Sequence, residues 1–248
     1  MQVLPSARPA ETQTTAPESA AQLSLRAVSG LEVASVSASA LLTTWALLPL
    51  QPWPRWLAAI PALLAVGLML HSHHARGESW RALGFTTEHL GRALRLVAGP
   101  TVLACMLFAA LGWWAGSFHQ TSHFWTNLLV LPAWALLQQY VLQGFIYRRV
   151  RFVLMPSQAS PEQQRRRSHL AVLVTAGIFA LLHAPNVTLM LLTLLGALIW
   201  SWVYERAPNL FALALSHAVI SLLLMTALPS WLLESMSVGY KHFLYQKF

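Results

Sequence analysis

The sequence predicts an all-α fold, a polytopic membrane helical bundle of about seven transmembrane helices. Hydrophobic residues make up 56% of the 248-residue chain and charged residues only 10%, whereas soluble domains carry about 25% charged residues. Apolar stretches of bilayer-crossing length recur along the chain. Most of the arginines fall between alternate pairs of these stretches, which is typical of loops on one side of a membrane.

The N-terminal part of the chain combines a polar segment with two spans. Residues 1–26 are rich in Ala, Thr, Ser, Pro and Glu and lack the basic start and apolar core of a signal peptide, so we expect a disordered cytoplasmic tail. Residues 27–77 contain two predicted N-terminal transmembrane spans, near 29–50 and 55–70. The second is short and lies between the polar segments QPWPR and HSHHARGESW, so it either crosses the membrane or is re-entrant.

Five further spans are predicted within residues 78–228. The segment 229–248 carries aromatic and lysine residues and is expected to be a C-terminal interfacial tail. A polar, arginine-rich loop fills 148–168. The five spans lie near 94–116, 124–147, 169–184, 187–204 and 209–228.

The basic residues predict the topology. With the N-terminus in the cytoplasm, 13 arginines fall on the cytoplasmic side, against only Arg55, Lys241 and Lys247 outside. This positive-inside bias predicts a multi-pass protein of the cell membrane. Because the net charge of +8 flanks membrane spans, we expect it to contact anionic lipids and not nucleic acid.

Neither a disulfide nor a metal site is expected. The single cysteine, Cys105, excludes an internal disulfide and is expected to be inert packing. The histidines of the HSHH segment, His71, His73 and His74, lie at a membrane boundary without nearby Cys or Asp, which disfavours a metal site. We expect no cofactor.

Seven polar side chains lie in or at the ends of predicted spans, where strongly polar residues are functional candidates by default. At 1.5 Å per residue, Gln138, His183 and His217 fall roughly 12 to 21 Å from a cytoplasmic helix end, so they could share one layer. Each also has a structural interpretation, such as a hydrogen bond to a neighbouring helix, a turn or a bond to its own backbone. The seven are Gln138, Gln139, Gln143, His183, Asn186, His217 and Ser221.

Three segments carry a family resemblance. QQYVLQG, FALLHAPN and LSHAVIS resemble, in order and separation, the three motifs of the CPBP family of CAAX-processing and bacteriocin-processing intramembrane endopeptidases. Those motifs are Glu-Glu-x-x-x-Arg, Phe-x-x-x-His and His-x-x-x-Asn. The second is intact as Phe179 and His183, and the third has His217 with Ser221 in place of Asn. The resemblance implies a protease-like core over about residues 78–228.

The resemblance also implies a mechanism that this chain cannot run unchanged. In the family, a motif-one glutamate and the motif-two histidine activate a water that attacks a peptide bond near a membrane-embedded C-terminus, and motif three holds the oxyanion. Here Gln138 and Gln139 replace the two Glu, and Gln143 replaces the Arg. An amide cannot act as the general base, whose loss typically costs 10²- to 10⁴-fold in rate.

The replacements in motif one look concerted. Positions 139 and 143 share one helix face, where a Glu–Arg ion pair would sit in the family. Losing one charge would leave the other buried and unpaired, which costs several kcal/mol, whereas replacing both with glutamine keeps two groups that can hydrogen-bond each other. Phe179, Gln143 and Asn186 are therefore expected to support the site, and the amides to be neutral substitutes for charged groups.

Three functions remain open. An active variant would hydrolyse a peptide bond in a membrane-associated or lipidated protein, with His183 as base, His217 and Ser221 as oxyanion donors, and Gln138 and Gln139 positioning water or substrate. A pseudoprotease would bind membrane protein segments without cleavage. A transporter or channel component is disfavoured, because the sequence shows no inverted repeat and no carboxylate in the core spans.

Overall fold

The structure, a computed structural model, describes residues 20–48, 54–119, 124–155 and 158–245. These residues form helices joined by short loops, and no strand occurs among them, which confirms the predicted all-α fold. The helices are α1 Ala20–Leu42, α2 Ala59–Ala75, α3 Leu90–Ala115, α4 Phe124–Gln139, α5 Arg148–Leu154, α6 Pro161–Leu181, α7 Val187–Arg206, α8 Leu210–Ala227, α9 Ser230–Leu233 and α10 Tyr240–Tyr245.

The described helices include 6 that are long and apolar enough to cross a bilayer, and α6 adds a further rod to the bundle. α6 falls outside this set because its sequence begins with the polar run PEQQRRRSH. The second candidate span, Trp56–Ala75, has 20 residues, which at about 1.5 Å each match the roughly 30 Å hydrocarbon core. The chain is therefore a multi-pass membrane protein.

Helix begins earlier in the chain than the sequence predicts. α1 already begins at Ala20, so residues 20–26 are helical and not part of a disordered tail, because the run AAQLSLR is made of good helix formers. Residues 1–19 and 246–248 lie outside the described part. The C-terminal segment folds back on the bundle, where the Gly239 N–H donates to the Ala184 carbonyl at 2.8 Å.

α8 lies against both α3 and α4, α6 pairs with α7, and α1 packs on α2 and α5. The α3–α8 contact requires a glycine, because a Cβ at Gly112 would lie 2.5 Å from the Ala227 carbonyl oxygen. This close approach of two backbones is the small-residue packing that membrane helices use in place of a hydrophobic driving force.

The central helix changes its winding beside the first motif. α4 continues directly into a π-helical segment, Tyr140–Tyr147, and then into α5. Because π-helical hydrogen bonds run from residue i to i+5, residues four or five apart remain on one face. Such segments are rare and frequently mark functional sites.

A buried arginine fixes the far end of this helix. Arg149 is 2% exposed and lies 5.1 Å above the Phe145 ring. Its guanidinium donates to Glu32 at 3.1 Å, to Glu78 at 2.7 Å and 3.1 Å, and to Ser72 at 3.0 Å. One side chain thus ties α5 to α1, α2 and the loop after α2.

Glu78 has three partners in this cluster. His73 donates to it at 2.6 Å, and Arg148 donates at 2.6 Å, in addition to Arg149. Burial alone would raise the pKa of the Glu78 carboxyl, but the hydrogen bonds from His73, Arg149 and Arg148 together hold that pKa well below its usual range. The arginine pair RR, which as sequence indicates only topology, is therefore also a structural anchor.

Replacing Arg149 with alanine leaves the buried Glu32 and the half-buried Glu78 without their shared partner. We expect the free energy of unfolding to fall by about 3–5 kcal/mol, measured as thermal or denaturant unfolding in lipid nanodiscs. Arg151→Ala is the matched control, because Arg151 is exposed on the same helix. Equal stability of the two variants would contradict the structural role of Arg149.

Acid should weaken the same cluster. The folded-state pKa of the Glu78 carboxyl is lowered. Its contribution to the free energy of unfolding is therefore fully present above the unfolded-state pKa of about 4.3 and is lost as the pH falls below that value. We expect Glu78→Gln to flatten the dependence of unfolding free energy on pH between about 5 and 3. Glu162→Gln, at an exposed pair on α6, should leave the slope unchanged; equal slopes for wild type and Glu78→Gln would contradict the assignment.

Candidate intramembrane site

A cavity of about 860 Å³ lies among α3, α4, α7 and α8. Its walls are mostly apolar, and four of the residues singled out in the sequence line it: Gln138, His183, His217 and Ser221. Among the described residues, no carboxylate, lysine or arginine lines this cavity. The other polar side chains on its walls are Thr101, Thr193 and Ser216.

His183 lies in the turn that follows α6. Its Nδ1 is 2.7 Å from the Phe179 carbonyl oxygen, which can only accept a hydrogen bond, so Nδ1 carries the proton and Nε2 keeps its lone pair. The Phe179 ring packs edge-on against the imidazole, with centroids 4.8 Å apart. Phe179 thus orients His183 through both its backbone and its ring.

His217 is held from two sides. Its ring stacks on Trp200 at 4.4 Å between centroids, and its Nδ1 lies 3.4 Å from the Gln139 amide nitrogen. Because an amide nitrogen only donates, Nδ1 is the acceptor and Nε2 carries the proton of the neutral ring. The two histidines therefore offer the cavity complementary chemistry, a lone pair on His183 and an N–H on His217.

The motif-one glutamines divide their roles. Gln138 lines the cavity, whereas Gln139 is fully buried behind it. Gln143 is also fully buried and donates to Ser201 on α7 at 3.0 Å. The spacing of Gln139 and Gln143 permits a hydrogen bond between them, but their amide nitrogens point to other partners. The Gln139 amide nitrogen faces His217 on α8, and that of Gln143 donates to Ser201 on α7.

Asn186 belongs to the scaffold. Its Oδ1 accepts from the Leu189 N–H at 2.9 Å and caps α7, and its Nδ2 donates to the carbonyls of Leu233 and Ser237 at 2.9 Å and 3.3 Å. It is fully buried and does not line the cavity. Asn186 is expected from the sequence to support the site; in the structure it caps α7 and binds the C-terminal segment.

Sequence reasoning missed one polar cluster on the cavity wall. Ser216 accepts from the Trp200 indole N–H at 3.2 Å and lies 2.7 Å from the Thr101 hydroxyl. A Cβ at Gly196 would come within 2.9 Å of the Trp200 ring, so this glycine makes room for the residue that stacks on His217. The only sequence signal was the position of Ser216 next to His217.

The cavity extends toward the C-terminal end of the bundle. Met236 and Val238 line it, and they follow α8, whereas the Arg148–Arg149 cluster lies beyond the other end of the π-helical segment. No group of three potential metal ligands occurs within the described ranges.

Membrane-length helices thus enclose two histidines and a glutamine in one cavity. A family model described as Type II CAAX prenyl endopeptidase Rce1-like matches residues 120–223, which include all three motifs. This part of the chain is therefore similar to that family of CAAX endopeptidases, as the three motifs indicate. No curated protein and no solved structure gives a significant match.

The pairing of positions 139 and 143 can be tested by restoring charge. Gln139→Glu alone and Gln143→Arg alone each bury an unpaired charge and should lower the free energy of unfolding by about 3–5 kcal/mol. The double variant should recover much of the loss, because the two charges can pair. Thermal unfolding in nanodiscs measures this cycle, and losses that simply add in the double variant would show that the positions do not interact.

Proposed function

We propose that this protein binds the hydrophobic or lipidated C-terminal segment of a membrane-associated protein in its cavity and holds it without carboxylate-dependent hydrolysis. The observation that carries the proposal is the uncharged wall: Gln138 stands where the family places a glutamate, and no carboxylate among the described residues lines the cavity. A neutral amide can hold a peptide group but cannot accept a proton from water.

The size and chemistry of the cavity support this ligand class. Its volume of about 860 Å³ lies within the range of small-ligand sites, about 300–1,000 Å³. Its apolar walls suit a hydrocarbon chain or apolar side chains. Gln138, His183 and His217 supply donors and acceptors for one or two peptide groups, a few placed polar groups in an apolar pocket.

The orientation of the protein is part of the proposal. The excess of arginine in loops on one side favours a cytoplasmic N-terminus in the cell membrane. Arg165, Arg166 and Arg167 are exposed at the start of α6 and suit anionic lipid head groups on that side. The bound protein segment would then be a membrane partner and nucleic acid would not be one.

A second candidate function, slow peptide hydrolysis, rests on the geometry of His183. Its Nδ1 donates to the Phe179 carbonyl at 2.7 Å, so Nε2 is free to accept a proton from water. His217 and Ser221 line the same cavity and would donate hydrogen bonds to an oxyanion. This reaction would run without the carboxylate that the family uses.

One experiment separates the two functions. A photoreactive, prenylated C-terminal peptide is presented to the protein in nanodiscs, and crosslinking and cleavage are followed by mass spectrometry. We expect wild type and His183→Ala both to capture the peptide without product, and Gln138→Leu to capture less than Gln164→Ala, an exposed control on α6. Cleavage by wild type that His183→Ala abolishes would establish the hydrolase instead, and absence of capture by wild type would contradict both.

Restoring the charged residues of the family's first motif should restore peptide cleavage. The triple variant Gln138→Glu, Gln139→Glu and Gln143→Arg should cleave the same peptide roughly 10²- to 10⁴-fold faster than wild type, because it regains a general base. The charge pair at 139 and 143 alone, with Gln138 retained, is the control and should stay inactive. A folded triple variant without any gain would show that the cavity has lost more than its base.

A further inference from the structure

A line of polar side chains, all buried except the half-buried Glu205, leaves the cavity and runs toward the arginine-rich end of the bundle. Gln139, Gln143 and Tyr147 follow each other at four-residue spacing, at the start of and along the π-helical segment, which keeps them on one face. α6 packs against both this segment and α7, and these helices add further polar groups. We name the whole set the polar column: Gln139, Gln143, Tyr147, Ser168, Thr175, Ser201 and Glu205.

Hydrogen bonds join members of the polar column across helices. Gln143 donates to Ser201 at 3.0 Å, which connects the π-helical segment to α7. Ser168 donates to Glu205, which connects α6 to α7. At the other end, the Gln139 amide nitrogen lies 3.4 Å from His217, so the column meets the cavity wall.

Four atoms of the polar column make no hydrogen bond of normal geometry among the described residues: Gln139 Oε1, Gln143 Oε1, Tyr147 Oη and Thr175 Oγ1. The Tyr147 hydroxyl nevertheless lies close to Ser168. Gln139, Gln143 and Thr175 are 0% exposed, and Tyr147 is 2% exposed. Buried polar groups in proteins are nearly always bonded to protein or to ordered water. An unsatisfied group is more costly still within a membrane, because lipid offers no partner.

The Thr175 hydroxyl does not use the hydrogen-bond partner that its own helix could offer. A threonine in a helix usually donates to a carbonyl three or four residues earlier, as Thr101, Thr193 and Thr226 do in this protein. The Thr175 hydroxyl makes no such bond. Its hydroxyl is therefore available to another partner beside α6, the helix that packs against both α7 and the π-helical segment.

We propose that the polar column binds a file of water molecules that connects the arginine-rich end of the bundle, near Glu205, with His217 and the cavity. Water matches the orphaned atoms, since it donates to the two amide oxygens and either donates to or accepts from the two hydroxyls. Buried waters typically make about three hydrogen bonds to such groups. The column hydrates the polar wall of the cavity from behind, independently of whether the cavity binds or cleaves its peptide.

The first test uses the sign of a stability change. If the hydroxyls are dry, Thr175→Val and Tyr147→Phe remove an unsatisfied group and raise the melting temperature; if they hold water, the substitutions lower it. We expect both variants in nanodiscs to have a lower melting temperature than wild type, and lower than the control variant Thr226→Val. That control removes a hydroxyl already bonded to the carbonyls of Leu222 and Leu223.

The second test detects the water directly. X-ray radiolysis produces hydroxyl radicals that oxidise side chains beside bound water, and the intact protein in nanodiscs is analysed by mass spectrometry. Tyr147 should be oxidised several-fold faster than Tyr204, which is 3% exposed and whose hydroxyl donates to the Leu83 carbonyl at 2.9 Å. Oxidation of Tyr147 no faster than Tyr204, or a higher melting temperature in both variants of the first test, would overturn the proposal.

Discussion

The hydrogen bonds of Arg149 are the interaction on which the rest of the structure depends. A buried charged group must find its partners within the protein. Arg149 finds them on Glu32 and Glu78, which lie on or beside different helices. This fixes one end of the central helix, and the π-helical segment before it then directs Gln139 and Gln143 toward α8 and α7. A charged anchor thus positions an uncharged site.

That contrast explains the chemistry of the cavity. Charge is kept where several partners share it and is missing from the cavity wall, where Gln138, His183 and His217 are neutral or polar. The histidines retain fixed geometry without a carboxylate, since a carbonyl orients His183 and an amide with an indole holds His217. A site built this way keeps hydrogen-bonding groups at positions of the family's motifs. It lacks the strong base that peptide hydrolysis needs.

Much of the fold could be predicted from sequence because hydrophobicity and arginine placement are properties of whole segments. The helical bundle, the number of rods and the family follow from long apolar runs and three motifs, and the structure and the family model confirm them. The start of α1 was missed because a polar, alanine-rich run reads as a tail, although its residues favour helix. Arg149 read as a topology signal, since a single sequence does not show that Glu32 and Glu78 lie beside it.

The details of the site were harder to predict, because they depend on geometry that short motifs do not encode. A π-helical segment has no clear sequence signature, so the separate partners of Gln139 and Gln143 could not be foreseen. Asn186 resembles a site residue but caps α7, because its neighbours in sequence begin a helix. Ser216 and Trp200 were missed since both are ordinary residues of apolar spans until α7 and α8 bring them together.

The central claim is that this cavity is a neutral form of a protease site, with two histidines in fixed and complementary tautomers. Solid-state ¹⁵N NMR of histidine-labelled protein in lipid, with His183→Ala and His217→Ala for assignment, measures this most directly. At neutral pH the account predicts that His183 carries its proton on Nδ1 and His217 on Nε2, both uncharged. Doubly protonated rings at both positions, or the same tautomer at both, would contradict it.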